Sequence, residues 1–160
     1  MVTGSVSYAD YLAAYRLHRH RVATAMNWLM VGLTVVGALT LLGGYRWWGI
    51  VISCTSVGGL IGEFVQARIF LPWKVKKLYG QHKGIAEPIT YEWDSQRLLA
   101  KGETGHGEYK WKDYAKVKED DKVVLFYITD YLWHVVPKAW FNEPAELEEF
   151  RGYAGLARET

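Results

Sequence analysis

VATAMNWLMVGLTVVGALTLL, from Val22 to Leu42, is 21 residues long and carries no charge. At 1.5 Å of rise per residue, a helix of about that length reaches across a hydrocarbon core about 30 Å thick. A second run follows almost at once: WWGIVISCTSVGGLIGEFVQARIFLPW, Trp47 to Trp73, uncharged as far as Glu63 and apolar again beyond Arg68. The two runs predict transmembrane helices over residues 22–42 and 47–70. Neither has a polar face, which argues against a soluble helical bundle. The first run exceeds the roughly 7–15 apolar residues of a signal peptide and a second run succeeds it, which argues against cleavage. Pro72 disfavours helical geometry at Leu71 and predicts a break or kink there.

Only GGYR, Gly43 to Arg46, separates the runs, so they must form an antiparallel hairpin. Arg16, Arg19 and Arg21 precede it, and Arg68, Lys74, Lys76, Lys77 and Lys83 follow it. Positive charge stays on the cytoplasmic side, which predicts both termini inside and the turn outside. Tyr45, Trp47, Trp48 and Trp73 fall where interfacial aromatic residues belong. Up to Gly84 the chain has nine Lys/Arg against two Asp/Glu, and from Ile85 onward ten against fifteen. Basic residues therefore flank the apolar runs while the distal part is acidic, a pattern that fits anionic lipid headgroups and not nucleic acid.

If the hairpin turns near Tyr45, residues whose numbers sum to about 90 lie at equal depth. That places Gly32 beside Gly58 and Asn27 beside Glu63. Cys54, Gly58, Gly62 and Gln66 recur every four residues and predict the face on which the helices approach closely. Glu63, a carboxylate inside an apolar run, is expected to fix helix register. Its expected partners are Asn27 or a basic residue of the following segment, with snorkelling toward Arg68 as another way to lower its cost. The functional alternative is a proton or ion relay, which one carboxylate in two helices supports only if subunits assemble into a homo-oligomer.

Residues 1–21 predict an amphipathic helix lying at the headgroups. Ser7 with Asp10 three residues on forms a capping box, Tyr8, Tyr11, Leu12 and Tyr15 share a face, and Arg16, Arg19 and Arg21 meet lipid. His18 and His20, two apart, point to different sides and make no metal pair, so both are expected to be solvated. Residues 71–84 read as a basic juxtamembrane segment in which Lys74, Lys76 and Lys77 contact headgroups.

From residue 85 the period changes to two. Ile89, Tyr91 and Trp93 alternate with Thr90, Glu92 and Asp94, the pattern of a half-buried strand. Turns at Asp94–Gln96, within GETGHG, at Asp120–Asp121 and at Thr129–Asp130 predict an antiparallel sheet of about five strands over 85–160. A closing helix starts from Asn142 as N-cap with Pro144 in its first turn, and presents Leu147, Phe150, Ala154 and Ala157 to the sheet. Pro137 ends the last strand because it has no N–H to donate, and Trp140 and Phe141 anchor the strand-to-helix corner. Lys138 is either a solvated lysine beside that proline or a contact for an anionic ligand.

No catalytic, cofactor or metal motif is evident. GETGHG lacks the ending and the following helix of a phosphate loop, and His106 and His134 have no partner at ligand spacing. Cys54 is the single cysteine and lies in an apolar run, which predicts an inert thiol.

The order of these features resembles the YcxB-like proteins, small bacterial membrane proteins. The resemblance rests on YADY near the start, the two-helix hairpin, KKLYG, YKWKDYAKVKED and HVVPKAWF. Its closest points are Trp111 with Glu119, and Pro137-Lys138 followed by Phe141; Ala139 and Trp140 stand where the family pattern carries Arg and a variable residue. The resemblance implies an α+β protein of the inner membrane, in which a transmembrane hairpin precedes a small antiparallel sheet and a C-terminal helix, similar to part of a pleckstrin-homology-like domain. It supplies no catalytic residues. The expected function is a membrane-anchored cytosolic binding or scaffolding module. The rivals are an oligomeric enzyme or transporter using Glu63 and a lipid-sensing or envelope-stress regulator.

Overall fold

A computed structural model describes residues 1–81, 84, 87–103 and 105–155. In chain order the elements are β1 (Val2–Gly4), α1 (Tyr8–Leu42), α2 (Arg46–Val65), a π-helical turn (Gln66–Phe70) and α3 (Leu71–Gln81). Six strands follow: β2 (Ile89–Trp93), β3 (Arg97–Gly102), β4 (Gly105–Lys110), β5 (Lys116–Glu119), β6 (Val123–Tyr127) and β7 (Trp133–Pro137). Short 3-10 turns cover Trp111–Asp113 and Lys138–Trp140, and α4 (Pro144–Gly155) closes the order. The class is α+β, as expected. Lys83 and Ala157 lie outside the described residues.

The chain divides into two units, Met1–His18 with Val75–Thr160, and Arg19–Lys74. The first is built on two antiparallel sheets, β1-β2-β3-β4 and β5-β6-β7, where the sequence predicted one sheet of about five strands. The difference begins at the N-terminus. Residues 2–4 pair with β2 in the register Val2↔Tyr91 and Gly4↔Ile89, and Val2 is buried. Three residues are too short for any periodicity to show, so the strand is invisible until its partner is known.

The core lies where the sheets meet α4. Leu98, Trp111, Tyr114, Val124, Phe126, Val136 and Phe150 are almost fully buried there. Phe150 meets Trp93, Trp111, Phe126 and Phe141 at ring-centroid distances of 5.0–5.9 Å. Trp111 has one polar atom to satisfy, and its indole N–H donates to the Asp94 carbonyl at 2.8 Å. Ala154 and Phe150 are the buried residues of α4. Pro144 is the first residue of that helix and the Glu143 carbonyl accepts from Glu146 and Leu147 N–H, so the cap is Glu143 and not the expected Asn142.

All five residues of β6 are buried, although strand neighbours point to opposite faces. Val124 and Phe126 enter the core, while Tyr127, on the other face, takes the start of α1. This overturns the expected headgroup helix over 1–21. The capping box is present, with Ser7 N–H on the Asp10 carboxylate at 3.0 Å and Asp10 N–H on Ser7 Oγ at 3.2 Å. The helix it starts does not end near residue 21 but runs on to Leu42. Tyr11 and Ala14, on its apolar face, are buried in protein, as is Ala13 on another side, and Tyr11 and Tyr15 pack on Trp133. An apolar stripe records that something covers it, not whether that cover is lipid or a sheet.

In the second unit α1 and α2 are antiparallel, joined through Gly43–Tyr45. Gly44 takes a φ of +88°, a value that favours glycine, and its N–H donates to the Leu41 carbonyl at 3.2 Å. Pro72 does not break the second helix. Leu71 N–H bonds back five residues to Gln66, and this wider turn absorbs the proline ring and its missing N–H, so helix continues to Gln81.

Candidate functional site

Two constellations of polar side chains stand out, one in each unit. In the helical unit a seam of small and polar residues joins α1 to α2. Thr34 Oγ1 donates to Ser56 Oγ at 2.9 Å, and Ser56 Oγ donates to the Ser53 carbonyl at 3.0 Å. Three glycines let the helices approach. A β-carbon at Gly37 would come within 2.9 Å of Ser53 N, and at Gly49 within 2.8 Å of Leu41 N. At Gly59 it would come within 2.7 Å of Met30 Sδ.

The pairs 34/56, 37/53 and 41/49 all sum to 90, so the depth rule drawn from the turn holds, but the predicted face does not. Gly32, Gly58 and Gly62 are exposed, and an added β-carbon at any of them would meet nothing within 4 Å. Gly32 is two residues from Thr34 and Gly58 two from Ser56, about 200° round a helix of 100° per residue, so both face away. The stripe of fours was misleading because four residues overshoot a turn by about 40° each time. The informative spacing is seven: Gly49, Ser56 and Glu63 lie on one face of α2.

Glu63 therefore points into the seam, but its partner is not Asn27. Asn27 is exposed, and the carboxylate takes the Arg19 guanidinium, with Nη2 at 2.9 Å from Oε1 and 3.2 Å from Oε2. Arg19 lies 18 residues, or five turns, before Gly37 and so on the same face of α1. The depth rule counts backbone height and ignores side-chain length, which lets the long arginine reach where the short asparagine cannot. Arg19 is consequently engaged within the hairpin and is not an open headgroup contact. Arg16, Arg21, Lys74, Lys76 and Lys77 are exposed.

In the β unit, Glu119 on β5 gathers two cations. Lys138 Nζ lies 2.6 Å and Arg151 Nη2 2.5 Å from its Oε1, and Arg151 also pairs with Glu148. Burial pushes the Glu119 carboxyl up, but hydrogen bonds from Lys138 and Arg151 outweigh it and hold the group below its usual range. Lys138 is thus neither a solvated lysine nor an anion site. It ties the corner after Pro137 to β5, and its N–H donates to the Lys122 carbonyl at 2.8 Å. Trp140 stacks on Tyr91 at 5.9 Å and Phe141 packs on Trp93 at 5.8 Å, which seats the corner between the first sheet and α4.

A cleft of about 350 Å³ opens beside the first sheet, lined by Glu87, Tyr91, Tyr109, His106 and His134 among others. Tyr109 and His134 meet edge to face at 4.4 Å, and burial holds the His134 imidazole below its usual pKa. His18, expected to be solvated, stacks on Tyr127 and shares a 3.0 Å hydrogen bond with its hydroxyl. Among the described residues, no three His, Cys, Asp or Glu side chains gather as metal ligands would. Cys54 is exposed on the apolar helix.

The fold defines an α+β protein in which two long apolar helices accompany two antiparallel sheets and a closing helix. Its residues 93–154 match the family model described as YcxB-like protein, which covers β2's last residue through most of α4 and carries Trp111, Glu119 and the Pro137–Phe141 corner. No curated protein matches the chain, and no solved structure does.

Proposed function

We propose that the chain is an integral membrane protein of the bacterial inner membrane. A two-crossing hairpin with both ends in the cytoplasm holds its β unit at the bilayer as a binding or scaffolding module. The observation that carries this reading is exposure. The two helices are long and apolar enough to cross a bilayer, and only 6% and 11% of their apolar windows is buried inside the protein. Trp28, Leu39, Leu42 and Trp47 are each more than 60% exposed. Leaving one such side chain in water instead of an apolar medium costs about 1.5–3 kcal/mol, so hydrocarbon is the solvent that suits them. A core helix of a soluble protein would have its apolar residues covered. A cleaved leader would not begin as α1 does, with Ala14 fully buried in the folded protein.

The seam favours a structural part for Glu63 over a relay, because both carboxylate oxygens are engaged by Arg19. The module reading draws on the β unit, whose cleft is lined by tyrosine and histidine side chains. Extraction decides the first part: full-length protein should stay with the membrane pellet in alkaline carbonate and leave it only in detergent. Release by carbonate alone would overturn the reading. Affinity capture of the detergent-solubilised protein, with and without substitution of Tyr109 and His134, tests the second. A ligand or partner retained by the parent and lost by the variant supports the cleft, and equal retention overturns its role.

A further inference from the structure

The turn between β6 and β7 carries the one apolar tip in the three-stranded sheet. Tyr131 is 93% exposed and Leu132 55% exposed, side by side. Their projection is built, not incidental. Ile128 and Thr129 N–H both donate to the Leu132 carbonyl, at 2.9 and 3.1 Å, and Thr129 Oγ1 accepts from Tyr131 and Leu132 N–H. The other turn of the same sheet, at the opposite end of β6, is Asp120-Asp121-Lys122, wholly polar.

What lies beside the apolar tip is the exit of α1. The strand pair at the base of the turn is Tyr127↔Trp133, and His18 stacks on both rings, at 5.7 and 6.3 Å. His18 is the last residue of its unit before the chain enters the helical one, and the uncharged run begins at Val22. Only three residues of α1, Arg19 to Arg21, lie in the chain between His18 and that run. Cations flank it. Lys116 pairs with Asp130, the single carboxylate of the tip, and Lys118 donates to the His18 carbonyl. A tyrosine and a leucine on an ordered turn beside neutralised acid and lysine are the components of an interfacial anchor.

We propose that the Ile128–Leu132 turn is a lipid contact, which inserts Tyr131 and Leu132 at the headgroup boundary of the bilayer that holds the hairpin. This rests on the membrane reading given above. It gives the β unit a second attachment to the same surface, besides the covalent one, and so limits how the unit tilts over the bilayer.

The test uses full-length protein with Cys54→Ser, reconstituted in vesicles of phosphatidylethanolamine and phosphatidylglycerol, with a fluorophore on a single introduced cysteine. Leu39→Cys reports on the hairpin, Leu132→Cys on the tip, and Asp121→Cys on the opposite turn. Spin-labelled lipids and aqueous iodide serve as quenchers. The expected result is strong lipid quenching at positions 39 and 132, with iodide quenching at 132 several-fold weaker than at 121. Lipid quenching at 39 with an iodide-accessible label at 132 would overturn the tip contact and leave the membrane reading standing. Absence of lipid quenching at 39 would overturn both. A tip label shielded from iodide but not quenched by lipid identifies a protein contact there, a second copy included, and also overturns the proposal.

Discussion

Arg19 and Glu63 are 44 residues apart in sequence, and both oxygens of the carboxylate lie within 3.2 Å of one guanidinium nitrogen. Their side chains are 25% and 15% exposed, so the pair is neither open to water nor sealed from it. A charge kept in such a place is held by its partner, and deleting either one strands the other. Glu63→Gln is expected to destabilise the hairpin by about 1 kcal/mol, the scale of polar contacts between membrane helices. Glu63→Leu, which also removes the hydrogen-bond acceptors, should cost more, and Arg19→Glu combined with Glu63→Arg should recover most of the loss. Unfolding of detergent-solubilised protein by a denaturing surfactant measures all three. No recovery in the double variant would mean that the pair is incidental to stability.

The glycines separate by what faces them. Gly37→Leu and Gly49→Leu drive a side chain into partner backbone that cannot move aside, with an expected loss of about 1–3 kcal/mol or failure to assemble. Gly59→Ala meets only the flexible end of Met30 and should be milder, while Gly32→Leu and Gly58→Leu should be nearly neutral in the monomer. The same unfolding assay ranks them. A neutral Gly49→Leu would contradict the close approach at the turn end of the seam.

Acid should weaken the β unit in two stages. Burial holds His134 below its ordinary 6.5, and the Lys138 and Arg151 bonds hold Glu119 below its ordinary 4.5 despite burial. In each case the unfolded chain binds the proton more readily, so the stabilisation is present above the unfolded value and fades as pH falls toward the folded one. His134 acts first, as pH drops through about 6.5, and Glu119 only below about 4.5. Melting temperature should therefore decline from neutrality downward, and His134→Gln should flatten the upper part of that decline. His18, depressed by burial and by Lys118 and Lys116, adds to the same limb, so flattening will be partial. A melting temperature that rises between about pH 7 and pH 5 would refute the assignment.

Orientation follows from the membrane proposal. Reporter domains fused ahead of Met1 or after Thr160 should both report the cytoplasm, and one inserted between Gly43 and Gly44 should report the outside. Moving the flanking charge by Arg16→Glu and Arg21→Glu should erode that preference. An external C-terminus would remove the basis for headgroup contact by Lys74, Lys76 and Lys77.

Within the sequence itself lay most of what depends on near neighbours. Uncharged runs of helical length determined the two long helices, GGYR determined their reversal, and Ser7 with Asp10 determined where α1 starts, because each of these is a property of a few consecutive residues. Alternation located β2, and Phe150 with Ala154 gave the inner face of α4. Even the depth of facing residues in the hairpin followed from the position of its turn. Azimuth did not, since Gly-rich spacing by four and polar spacing by seven are both present on α2 and only contact with α1 selects between them. The tertiary structure alone decided that Arg19 neutralises Glu63, that Lys138 and Arg151 share Glu119, and that residues 2–4 complete a sheet begun 85 residues later. It also decided what covers the first turns of α1. The clue was VVLFY in β6, apolar at every position, which signals a strand buried on both faces but cannot name the element on the second. Burial free energy depends on the area covered and not on the identity of the cover, so a stripe such as Tyr11, Ala14 and Tyr15 is equally suited to lipid and to Trp133 until the chain has folded.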